Sequence, residues 1–367
     1  MFLRLDRRQL NERARRTLGW CALVLCISPL PGGWLIDHCP FHIRDSEAGR
    51  TIALWEKANP HPEVLILGSS RLGSFLRAHE LKELVARFDE GKAVNIFNAT
   101  KQYGEPIAMK FLTHKLLASK GTPPRLALIE ISPDLLPHDN SYFRYLIVRD
   151  LVAADLPNYL GEILLSGGGT STLISSRVIP FFVHRTQFLD WAGETVAKRV
   201  GRPELCSDAT AAIPAELAGE GMSFQAWRDG AEKVTVPLAV RIEAGTGRFR
   251  SRLRHYDLAS QTSAALEATV ALLHVKGCAV VLVQPPLTSA QRALFTPEVR
   301  KPFGDFLQRL KSSYGCEFVD FSDRLPDTLF IDNQHGSNAG SAVFTEMLAR
   351  EAIAPAWRNL VLPRTGD

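Results

Sequence analysis

Outside its first sixteen residues the chain has no charge bias. The formal net charge of +4 is accounted for by Arg4, Arg7, Arg8, Arg13, Arg15 and Arg16 set against Asp6 and Glu12, and beyond them acidic and basic residues cancel. That excludes the broad basic surface of a nucleic-acid-binding protein. Cysteine is sparse, with 6 in 367 residues, and no pair shows C-x-x-C or other metal-ligand spacing. There is no internal repeat and no long low-complexity tract, so nothing points to a solenoid or repeat array. Nucleotide fingerprints are missing too. Gly68-Ser-Ser-Arg-Leu-Gly73 lacks the middle glycine of G-x-G-x-x-G, and Ser74-Phe75 stand where a phosphate-binding loop needs lysine then Ser or Thr. No cofactor is expected.

The basic arm of residues 1–16 is followed by an uncharged stretch, residues 17–36, with its apolar heart at Leu18–Ile27. About 20 such residues suffice to cross a bilayer as a helix. Arginines before it and Asp37 after it predict a single-pass anchor with the arm inside and the body outside the cytoplasmic membrane. A cleaved signal peptide and a buried helix remain as alternatives, although no small-residue cleavage site follows.

From there apolar runs alternate with helical patterns. Val64–Leu67, Val94–Phe97, Leu126–Ile131, Cys278–Val283 and Glu317–Phe321 read as strands. Leu81, Leu84, Val85 and Phe88 fall on one helical face, as do Met109, Leu112 and Leu116, then Leu266, Val270 and Leu273. This alternation predicts a three-layer α/β/α domain, flavodoxin-like, with a five-stranded mainly parallel sheet in the order 2-1-3-4-5. The expected division is a linker at 37–62, read from Arg44 to Pro62 as a linker or a short helix, the domain at 63–355 with a helical insertion at about 135–260, and a tail at 356–367. An insertion after the third strand leaves from the carboxyl ends of the strands, where open α/β sheets bind ligands, so it is expected to cap the site.

Two short segments carry the chemistry. Val64-Leu65-Ile66-Leu67 stops abruptly at Gly68-Ser69-Ser70, which places a hydroxyl at the open end of a buried strand. Asp332-Asn333-Gln334-His335 sits before the last amphipathic helix, which offers a base and its orienting carboxylate. Nucleophile, base and orienter are the set that covalent acyl chemistry needs. The plainer reading of Ser69 and Ser70 is that both only cap the following helix.

These segments resemble the first and last blocks of the SGNH/GDSL hydrolase superfamily. The Gly68-Ser69-Ser70 turn is similar to that family's Gly-Asp-Ser turn with Ser for Asp, and Asp332-x-x-His335 followed by Gly336, Ser337 and Asn338 is similar to its last block. The resemblance implies Ser70 as nucleophile, His335 as general base and Asp332 as its orienter, with the N–H groups of Ser70 and Gly104 as oxyanion donors. The family's Gly-x-Asn-Asp after strand three is absent. Glu130-Ile-Ser-Pro-Asp134 stands there, which leaves Ser132 or Asn140 as replacement donors.

The serine turn, the N-terminal anchor, the insertion and Val283-Gln-Pro-Pro286 further resemble the membrane-anchored proteins of envelope-polymer acylation, of the teichoic-acid D-alanylation and alginate O-acetylation type. That resemblance covers roughly residues 60–135 and 260–355. It implies an extracytoplasmic esterase or O-acyltransferase acting on an acylated glycan or another envelope polymer, with a membrane-bound O-acyltransferase as partner. The alternative is an inert relative that binds a glycan or that partner.

Overall fold

The computed structural model describes residues 7–27, 29–39, 46–58, 60–89, 94–119, 123–137, 147–148, 151–200 and 221–361. In chain order the elements are α1 (Arg7–Ile27), α2 (Pro29–His38), α3 (Ser46–Lys57), β1 (Val64–Leu67), α4 (Ser70–Ser74), α5 (Ala78–Phe88), β2 (Ile96–Asn98), α6 (Pro106–Ser119) and β3 (Leu126–Glu130). The insertion contributes α7 (Leu156–Leu165), α8 (Gly169–Val178), α9 (Pro180–Val183), α10 (Arg185–Arg199), α11 (Gln225–Glu232) and α12 (Leu238–Leu253). Then come α13 (Gln261–Val275), β4 (Ala279–Gln284), α14 (Ser289–Arg292), α15 (Pro297–Tyr314), β5 (Glu317–Asp320), α16 (Asn338–Leu348) and α17 (Ala354–Val361).

The chain divides into two compact units. One holds residues 50–140 and 212–367, and the other holds residues 1–49 and 141–211.

The larger unit is a five-stranded, wholly parallel sheet in the order β2-β1-β3-β4-β5, as the strand–helix alternation predicts. A central parallel sheet must be covered on both faces, and the alternating side chains of β1 show how. Leu65 and Leu67 point into a core with Trp55 of α3, Leu112 of α6, Leu266 of α13 and Phe306 of α15. Val64 and Ile66 point into the opposite core with Phe75, Val85 of α5 and Phe344 of α16. Cys278 and Cys316 belong to the first core as small buried hydrophobes, and burial pushes the Cys278 thiol up to about 12.

Of the two readings of residues 44–62, the short helix is the one found, at Ser46–Lys57, with Trp55 fully buried in the core. The expected tail at 356–367 differs, because the last helix runs on to Val361 with Trp357 buried.

In the smaller unit α2 lies against α8. A Cβ on Gly32 would come within 1.5 Å of the Arg177 carbonyl oxygen, so only glycine fits that approach. The Arg177 guanidinium pairs with Asp37 at 3.0 Å. The expected anchor at 17–36 falls across α1 and α2, and among the described residues no helix is long and apolar enough to cross a membrane. The insertion is therefore shared. Residues 151–200 belong to the smaller unit, and residues 221–253 belong to the unit that carries the sheet.

Candidate active site

The serine turn separates the roles of its two hydroxyls. β1 ends at Leu67, and Ser69 is the N-cap of α4, its Oγ accepting from the Arg71 N–H at 3.1 Å. The same residue gives its N–H to Glu130 Oε2 at 2.5 Å and its O–H to Glu130 Oε1 at 3.0 Å. Ser69 is thus occupied as a cap and a tether to the end of β3. Ser70 is left free of that duty, and its Oγ lies 3.0 Å from His335 Nε2.

The loop after Phe330 builds the other half. Asp332 Oδ1 accepts the N–H groups of Gln334 and His335, each at 2.9 Å, which curls the loop back on itself. Asp332 Oδ2 lies 2.7 Å from His335 Nδ1. A carboxylate only accepts, so Nδ1 carries the proton, Nε2 is the acceptor, and the Ser70 hydroxyl donates to it. Burial pushes the Asp332 carboxyl up. The hydrogen bond and charge of His335, with the two backbone donors, outweigh this and hold it below the usual range. The structure thus brings Ser70, His335 and Asp332 into one hydrogen-bonded line, across a sequence separation of 265 residues.

Gly104 is placed differently. Its N–H is donated to the Lys101 carbonyl at 3.1 Å, and its Cα packs so closely on the Gly68 carbonyl that a Cβ would stand 2.1 Å from the oxygen. The residue is at the site's edge, with its amide engaged in its own turn. Ser132 is buried and donates its O–H to Asp134. Asn140 lies outside the described residues.

Beneath the nucleophile is a charged cluster that sequence reasoning did not single out. Arg71 is buried and grips Asp134 through both terminal guanidinium nitrogens, with Nη1 at 3.1 Å from Oδ1. Nη2 also donates to Gln334 Oε1 at 3.0 Å. Burial pushes Asp134 up, but the charge and hydrogen bonds of Arg71 and the Ser132 hydroxyl hold it below its ordinary range. For Glu130 burial is the larger influence and raises its pKa, with Arg71 and Ser69 offsetting only part. The signal in the sequence was three polar residues, Glu130, Ser132 and Asp134, closing a strand that is otherwise apolar.

A wall comes from the insertion. The Trp227 ring of α11 stands edge-on to His335, with centroids 4.8 Å apart and planes at 69°. α11 is held by Asn338, whose Nδ2 donates to Asp229 and Glu232 and whose Oδ1 accepts from Gln225 and Arg228. The Arg228 guanidinium, buried, donates in turn to the carbonyls of Ser74 and Leu76. A cavity of about 550 Å³ opens between these parts, bounded by Ser70, His335, Gln334, Trp227, Tyr103 and Phe249. Tyr103 holds a left-handed φ of 53°. Nothing in the local sequence pattern marked Trp227, since its role depends on a fold-back across the insertion.

Among the described residues no group of three or more His, Cys, Asp or Glu side chains is arranged to hold a metal ion. No protein-family model matches the chain, and no curated protein is detectably similar to it.

Proposed function

We propose that the chain is an SGNH-type serine esterase or O-acyltransferase. The observation that carries this reading is the line Ser70 Oγ–His335 Nε2–Asp332, at 3.0 and 2.7 Å, facing a cavity. Ser70 Oγ attacks an ester carbonyl as its proton passes to His335 Nε2, and the carbonyl π pair moves to oxygen. Collapse breaks the bond to the alcohol, which takes the proton from His335 and leaves an acyl-Ser70. Water or a sugar hydroxyl then releases the acyl group by the reverse sequence. Asp332 keeps the imidazole in the required tautomer. The Ser70 N–H is the first oxyanion donor, and Gly104 joins it only by giving up its bond to Lys101.

The substrate class follows from the resemblance to envelope-polymer acylation proteins, which suggests an acylated glycan or glycolipid and a membrane-bound O-acyltransferase as partner. Localisation rests on the sequence alone: the arginine arm and residues 17–36 favour a single-pass anchor with the body outside the cytoplasmic membrane. An inert relative that binds a glycan or that partner is the second reading. It is favoured by the missing Asn after β3 and by the engaged Gly104 amide. Acetyl release from a chromogenic ester and from an O-acetylated glycan, with mass spectrometry of the enzyme for a covalent acyl adduct, separates the two. Turnover with an adduct on Ser70 supports the enzyme, and neither substrate turned over supports the binder.

A further inference from the structure

We infer that the Gln334 side chain is the second oxyanion donor, taking the place of the asparagine that is absent after β3. The inference rests on the proposed role of Ser70 and names a catalytic residue for that same site.

Gln334 is held through its backbone and through its side chain. Its N–H is tied to Asp332 Oδ1 at 2.9 Å, so the backbone between orienter and base is set. Its Oε1 accepts from Arg71 Nη2 at 3.0 Å. A guanidinium has donors only, so this contact fixes which end of the carboxamide is oxygen. Arg71 cannot swing away, because it is buried and clamped fork to fork by Asp134. Gln334 is therefore held in one orientation, with its Nε2 at the other end.

That amide nitrogen makes no hydrogen bond among the described residues, and it is not sealed in the interior. Gln334 lines the same cavity as Ser70 and His335. A carboxamide N–H₂ is the chemical group that an asparagine would present to a tetrahedral oxyanion, and a donor held before the reaction costs no reorganisation during it. The other amide expected to serve, that of Gly104, is already donated to Lys101. Arg71 is then a positioning residue. It stands next to the nucleophile in sequence and holds the donor through its bond to Gln334 Oε1.

Two substitutions separate donation from mere packing. Gln334→Glu keeps the acceptor for Arg71 and strengthens that contact, but removes the donor. Gln334→Met keeps the volume and is uncharged. Measured in the full chain on a chromogenic acetyl ester, both variants are expected to lower kcat by about 10²–10³-fold, with KM within about threefold because the bond forms only in the transition state. Retention of wild-type kcat by Gln334→Glu, with loss only in Gln334→Met, overturns the inference and leaves Gln334 as an acceptor for Arg71. Wild-type kcat in both overturns it as well. A rise in KM with kcat unchanged places Gln334 in ground-state binding and also overturns it. Fluorophosphonate labelling of the wild-type chain is run in parallel. Absence of both label and turnover there removes the serine reading and this inference with it, whereas a labelled, active wild type with active variants removes the inference alone.

Discussion

The Arg71 guanidinium, one residue after Ser70, and the Asp134 carboxylate face each other fork to fork, and both side chains are almost wholly withdrawn from solvent. Two buried charges at the carboxyl end of a parallel sheet are costly to desolvate, and each is tolerable only with the other present. The pair links the residue after the nucleophile to the end of β3, and through Gln334 to the loop that carries the base.

Breaking the pair on one side should therefore be far worse than removing it. Asp134→Ala strands Arg71 and is expected to cost about 3–5 kcal/mol of folding stability. Adding Arg71→Met should recover much of that loss, measured by urea unfolding of the wild type, Asp134→Ala and the double variant. Equal instability in the single and double variants would contradict the account of the pair.

The two carboxyls flanking Arg71 respond to pH in opposite senses. Asp134 is held below its ordinary value of about 3.9. Its contribution is present above that value and is lost as pH falls through the lower folded-state pKa. Glu130 is raised by burial. Its contribution is present below its ordinary value of about 4.3 and is lost as pH rises through the folded-state pKa. Glu130→Gln removes only the second effect. The stability of Glu130→Gln relative to wild type should thus improve as pH rises above about 4.3, and a difference independent of pH would refute the assignment.

Ser69 and Ser70 should separate cleanly under substitution. Ser70→Ala is expected to reduce ester turnover by orders of magnitude with stability within about 0.5 kcal/mol of wild type. Ser69→Ala removes the cap of α4 and one partner of buried Glu130, and is expected to cost about 1–3 kcal/mol. Loss of turnover in Ser69→Ala with full activity in Ser70→Ala would reverse the roles.

Asn338 should govern the wall of the cavity. Asn338→Ala removes the side chain that gathers Gln225, Arg228, Asp229 and Glu232. Backbone amides of residues 225–232 are expected to exchange faster in deuterated water, while those of β1 and β3 stay protected. Unchanged exchange across 225–232 would show that α11 is held by other contacts.

Much of this was legible in the sequence because the signals were local. The central strands β1, β3 and β4 are short, mainly apolar runs, and Val64–Leu67 emerges with the expected limits. Asp332 and His335 could be paired because they lie three positions apart in one loop. What the sequence did not reveal depends on contacts between distant segments. Trp227 meets His335 only once the insertion folds back, and Arg71 meets Asp134 only once β1 and β3 lie side by side. Gly104 was expected from its place after β2, but whether its N–H is free depends on the turn from Lys101, which no spacing reveals.

The most direct test of the central claim is a fluorophosphonate probe applied to the full chain, with peptide mass spectrometry to locate the adduct. The arrangement of Ser70, His335 and Asp332 predicts one modified residue, Ser70, and no labelling in His335→Ala. An adduct on Ser69 or another serine, or an unlabelled wild-type protein, would contradict it.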